Sequence, residues 1–148
     1  MTIAGDWYNE LGSHMRLVAS PSADISGTYT SVTGHASGQH PLVGRYDPPA
    51  KTGCGATVGW TVVWQNEQGD AACVTSWSGQ YFEASERICA SWLLTTSTSP
   101  NDMWEATTVG QDVFTRQAPA RSQASQTGQS RAAPFRPRGS RAGGLMET

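Results

Sequence analysis

The sequence predicts an all-β protein: one eight-stranded antiparallel up-and-down barrel with a disordered C-terminal tail. Three observations predict it. Clusters of Gly, Pro, Asn and Asp cut the first 116 residues into short runs at the spacing an up-and-down barrel needs. Thr, Ser, Trp and Tyr dominate those runs, and such residues suit strands better than helices. No helical periodicity persists, and no repeat of 20 to 50 residues is visible. A chain of 148 residues buries one sizeable core, so residues 1–116 read as one domain and 117–148 as its tail.

Taken in order, the strands are expected at 6–13, 15–20, 25–32, 41–47, 56–65, 72–82, 87–96 and 107–116. Small residues from Thr33 to His40 form a loop between strands three and four that can move over a barrel mouth. Between strands seven and eight, Pro100-Asn101-Asp102 marks a helical turn ahead of Trp104. Beyond about Gln117 the chain is Ser, Gln, Ala, Gly, Pro and Arg. That composition buries too little to offset the chain entropy of ordering it. About 30 such residues are long enough to fold back across a pocket mouth.

Charge is divided between these parts. Up to Ala118 five basic residues face eleven acidic ones, a net of −6, and beyond it five Arg face one Glu, a net of +4. An acidic body without a basic stripe excludes nucleic acid as the partner of the barrel, because phosphate binding needs clustered Lys and Arg. No apolar run reaches about 18 residues, so no membrane helix is expected. The first residues carry no signal-peptide pattern, which fits either the mature form of a secreted protein or a cytoplasmic one. Three cysteines cannot all pair within one chain. Strand direction puts Cys54 and Cys89 at one barrel end and Cys73 at the other. With a strand between the first two, about 9 to 10 Å apart, free thiols are expected. No metal-ligand spacing, phosphate loop or nucleophile elbow is present, so neither a metal site nor a catalytic residue is assigned.

Alternation supplies the functional signal, since residues two apart on a strand share a face. Trp7, Asn9, Leu11 and Ser13 share one; so do Tyr29, Ser31 and Thr33; so do Trp60, Val62 and Trp64; so do Cys73, Thr75 and Trp77. Each of the first, second and fourth sets mixes rings with hydroxyls or an amide. A barrel meant only to fill itself would put aliphatic residues there, because a buried unpaired hydroxyl or amide costs about 1–3 kcal/mol. Polar groups interleaved with Trp point to a lined cavity for a polar-headed ligand. Asp112, on the face of Phe114, either pairs structurally or receives a ligand N–H.

Seven stretches carry a closer resemblance: GDWYNELGS at 5–13, GTYTS at 27–31, LVGRYD at 42–47, GWTVVW at 59–64, TSWSGQY at 75–81, SWLL at 91–94 and VGQDVFT at 109–115. In these the chain resembles the avidin and streptavidin family over roughly residues 5 to 116, with all six tryptophans on family positions. The resemblance implies a non-catalytic biotin-binding barrel that uses no cofactor. The ureido oxygen of biotin would accept from Asn9, Ser13 and Tyr29, and the ureido N–H groups would donate to Ser31 and Asp112. Thr75 would face the ring sulfur, and Trp64, Trp77 and Trp92 would wall the ligand. The set carried over also takes in Leu11, Thr33 and Leu94. Trp104 would reach into a neighbouring subunit's site, which implies a homotetramer. Two positions depart from the streptavidin pattern at the end holding the biotin tail: His35 replaces an Asn and Cys73 a Ser. A thiol is a weaker donor than a hydroxyl, so faster release of biotin is expected. The rival readings are a barrel of the same build holding another small ligand, an inhibitor acting through its loops and, least supported, a hydrolase.

Overall fold

The computed structural model describes residues 2–32, 38–65 and 72–120, together with the backbone of residues 133–134. Eight antiparallel strands form the barrel: β1 (Gly5–Tyr8), β2 (His14–Ala19), β3 (Asp24–Ser31), β4 (Gly38–Asp47), β5 (Ala56–Trp64), β6 (Cys73–Phe82), β7 (Arg87–Thr96) and β8 (Thr107–Thr115). Each pairs with the next in sequence, and a β1–β8 pairing at Tyr8 and Thr115 closes the ring. A 3-10 turn, Pro100–Glu105, precedes β8. Among the described residues no helix is long and apolar enough to cross a membrane.

Alternation decides which residues fill the interior. In β5 the side chains of Ala56, Val58, Trp60, Val62 and Trp64 are buried, while Thr57 and Val63 between them are exposed. Trp7, Met15, Val62, Ile88 and Phe114 are wholly buried from five different strands, so one core is shared around the whole ring. Large rings crowd it, and the backbone makes room: a side chain on Gly44 would run into the Gly59 carbonyl and the Trp60 backbone.

Two boundaries differ from expectation. The first strand ends at Tyr8 rather than 13, because Asn9 folds the chain into a turn. Its Oδ1 accepts the N–H groups of Leu11 (3.1 Å) and Ser13 (2.9 Å), and Gly12 takes the left-handed φ of 90° that such a turn requires. Asn9 and Ser13 therefore share the interior through turn geometry, and Leu11 lies half-buried on the turn itself. The fourth strand begins at Gly38, three residues early, which brings His40 inside.

Of the loop expected from Thr33 to His40, residues 33–37, with Thr33 and His35 among them, lie outside the described residues and 38–40 are strand; the greater part of the expected disordered tail also lies outside the described residues. One piece of that tail is strand: β9 (Ala133–Pro134) pairs antiparallel with Thr108 and Val109 of β8. All three cysteines are free, with Cys54 and Cys89 exposed and Cys73 half-buried.

The seam between β1 and β8 carries one paired position, and side chains complete it. Arg116 donates from Nη2 to the Thr2 carbonyl (2.7 Å) and from Nη1 to the Ala4 carbonyl (3.0 Å). Its guanidinium lies 3.7 Å from the centre of the Trp7 ring, whose Nε1–H is itself bound to the Ile3 carbonyl. Planar donors in a fixed fork suit this three-way contact. Replacing Arg116 with Ala lowers unfolding free energy by about 2–4 kcal/mol through the lost hydrogen bonds and ring contact, read as a fall in the urea midpoint.

Candidate functional site

At the barrel end formed by the β1–β2, β3–β4, β5–β6 and β7–β8 connections, polar side chains meet inside the wall. The Asn9 turn is the starting point. Because its Oδ1 is taken by two backbone N–H groups, its amide nitrogen must face inward, where Nδ2 lies 3.5 Å from the Tyr29 hydroxyl. Ser13 Oγ accepts the Val32 N–H at 3.3 Å, so its own O–H is left to donate. Asn9, Ser13 and Tyr29 are all at least 96 % buried, so three donors crowd one dry spot.

Opposite them stands Asp112, 7 % exposed, whose Oδ2 accepts the Trp77 Nε1–H at 2.9 Å. Burial raises its carboxyl to about 6. Hydrogen bonds from Trp77, Trp92 and Asn9 oppose that rise, while the Glu10 carboxylate nearby adds to it. Tyr29 is driven higher still above the usual tyrosine range, by burial first and by the Asp112 charge second, so it stays a donor at any physiological pH. The site thus sets a cluster of neutral donors beside one strained acceptor.

Rings form the walls. Trp77 stacks on Trp60 (5.4 Å, 13°) and on Tyr29 (5.0 Å, 30°), and Phe114 meets both Trp60 and Tyr29 edge-on. Trp64 donates to Thr75 Oγ1 at 2.8 Å, which fixes its plane, and touches Tyr29 edge-on. Ser31, Trp92 and Leu94 are half-buried on the same inner face, and Cys73 pairs with Trp64 at the mouth. Burial pushes the Cys73 thiol up, which keeps it protonated. Trp104 does not join the cluster: it is 58 % exposed on the 3-10 turn beside Met103, and no residue of that turn is buried.

Two residues at the site escaped the sequence reading. His40 is 5 % exposed and packs edge-on against Trp64 at 5.1 Å. The expected loop ended on it, yet the strand begins earlier and its neighbour Pro41 pairs with Thr28 on the outer face. Glu10 binds the Val113 N–H at 3.0 Å, a contact made possible by the early end of β1. Among the described residues no group of three His, Cys, Asp or Glu side chains could hold a metal ion.

The Avidin family profile matches residues 1–117. Avidin of Gallus gallus is 34 % identical over 123 residues, and avidin-related protein 7 of Gallus gallus 31 % identical over 121, each alignment covering 78 % of either chain. Avidin-related protein 1 of the same species is 32 % identical over 124 residues.

The raised Asp112 carboxyl has a stability consequence. Its folded value of about 6 lies above the ordinary 3.8, so the folded state holds this proton more tightly than the unfolded chain. The contribution is full below about pH 4 and is lost as pH rises through 6. It amounts to on the order of 2–3 kcal/mol. D112N removes that slope, so the stability difference between pH 4 and pH 7.5, read from denaturant midpoints, shifts by this amount relative to wild type.

Proposed function

The chain belongs to the avidin family, and from that premise we propose that it binds biotin inside the barrel, without catalysis and without a cofactor. One observation carries the reading: three buried donors and one buried acceptor meet in a single aromatic-walled space. A cyclic urea has the matching polarity, with an acceptor oxygen on one side and donor N–H groups on the other.

Asn9, Ser13 and Tyr29 donate to the ureido oxygen. Fixed in advance by the turn, they lose little freedom on binding, and they stabilise partial negative charge as an oxyanion hole does. Asp112 and Ser31 accept the ureido N–H groups. The ligand gives Asp112 the donor that burial denied it, so binding relieves an electrostatic cost already present in the empty barrel. Trp64, Trp77 and Trp92 flank the bicyclic ring, Thr75 faces its sulfur, and Leu11 and Leu94 complete the apolar lining. Each enclosed indole removes enough apolar surface to contribute several kcal/mol at about 25 cal/mol per Å².

Assembly follows from Trp104. An exposed indole beside an exposed Met on a surface turn is covered when a second copy packs there, and in a homotetramer Trp104 completes a neighbour's pocket. At the tail end Cys73 meets the biotin carboxylate, and a protonated thiol holds it weakly.

Two measurements check this. The protein is retained on biotin-agarose, is displaced by free biotin and runs as a tetramer in native mass spectrometry; failure to bind at micromolar biotin ends the reading. C73S slows biotin dissociation roughly two- to tenfold, as one improved hydrogen bond provides, and stopped-flow Trp fluorescence reads the rate.

A further inference from the structure

The early end of β1 leaves β8 without a ladder partner from β1 beyond Thr115, yet the Val113 N–H is met there. Glu10 Oε2 accepts it at 3.0 Å. Asn9 and Glu10 are consecutive, and between them they bracket Asp112. Asn9 and Asp112 are both buried on the interior side, and the Glu10 carboxylate is anchored on the peptide N–H immediately after Asp112. Two acidic side chains are therefore fixed close together across the seam, one facing the ligand space and one outside it. An anchored like charge disfavours the ionised form of its neighbour.

The other groups facing Asp112 can be enumerated by element. The β1–β2 turn brings Asn9 and Glu10, β3 brings Tyr29, β6 brings Trp77 and β7 brings Trp92. Of these, Asn9 and both indoles carry no charge, and Tyr29 keeps its proton. Among the described residues facing Asp112, Glu10 is thus the one whose charge acts on it at neutral and mildly acid pH.

We propose that Glu10 is a positioning residue for the ligand site: it tunes the proton affinity of the Asp112 carboxylate and so sets the pH below which the pocket lets biotin go, a role that rests on the biotin reading above. The sign follows from linkage. A ligand N–H needs the ionised acceptor, so affinity is constant above the titration of empty-site Asp112 and falls as pH drops through it, near 6. Glu10 moves that fall toward neutrality. It also makes Asp112 a more basic acceptor, which strengthens its bond to the ligand once the carboxylate is charged. The molecule gains grip at neutral pH and loses it sooner in acid.

E10Q tests this, because the amide oxygen of Gln still accepts the Val113 N–H while the charge is gone. The Asp112 carboxyl is followed by 13C NMR in the ligand-free protein, and the biotin dissociation constant is measured from pH 4 to 8. In E10Q the Asp112 titration midpoint falls by roughly half a unit to one unit. The acid limb of binding shifts with it, so affinity lost between pH 8 and pH 5 is about three- to fivefold smaller than in wild type. A purely structural role would weaken binding equally at every pH and leave the midpoint in place. An Asp112 midpoint unchanged in E10Q overturns the proposal. If wild type binds no biotin at any pH, the biotin reading fails while the ligand-free titration still decides the role of Glu10. Should E10Q not fold, E10A is read the same way, with a lower midpoint expected.

Discussion

A carboxylate inside a barrel is the constraint on which the rest of this structure turns. Asp112 sits where water cannot solvate it, and burial outweighs the N–H groups arranged around it, so its carboxyl titrates about two units above the ordinary value of 3.8. Much of the surrounding architecture limits that cost. Trp77 is oriented by its bond to Asp112 and then held in a stack between Trp60 and Tyr29. Asn9 is turned inward by two backbone N–H groups that could equally have gone to solvent. A barrel of aliphatic residues would fold with less difficulty; this one gathers polar side chains among its interior rings, the composition that small-molecule sites share.

The aromatic wall serves the same end by a different route. Rings stacked at 5.0 and 5.4 Å hold one another in place through many weak contacts, and the Trp64 plane is fixed by Thr75. Rings held this way keep their planes and positions relative to one another, so the wall is a rigid element of the barrel. Polar preorganisation and apolar rigidity are thus two consequences of one packing arrangement.

Much of this was legible in the sequence because strand parity is a strict two-residue rule. Trp60, Val62 and Trp64 could only share a face, and so could Thr75 and Trp77; Asp112 had to lie with Phe114. Residues whose placement depends on a turn were legible in identity but not in mechanism. Asn9 and Ser13 read as strand neighbours of Trp7, whereas a side-chain-to-backbone turn puts them together. His40 was missed because the small-residue loop was carried as far as residue 40, whereas the β3–β4 ladder extends to Ser31 and Gly38 and turns His40 inward. Glu10 and Arg116 were invisible for another reason. Their partners, Val113 and the carbonyls of Thr2 and Ala4, lie more than 100 residues away in sequence, and only closure of the ring brings them within reach.

That closure also fixes where the barrel's two chain ends lie. Arg116 holds the backbone of Thr2 and Ala4 at 2.7 and 3.0 Å, so residue 116 and the start of the chain are neighbours in space. A short Gly/Ser bridge can therefore join them in place of the tail, and new termini can be opened in the exposed β4–β5 connection around Lys51 and Thr52, at the opposite end from the Asn9 turn. Rewired in that order, the eight strands of the ring would keep their neighbours while both free ends moved to the far side of the barrel.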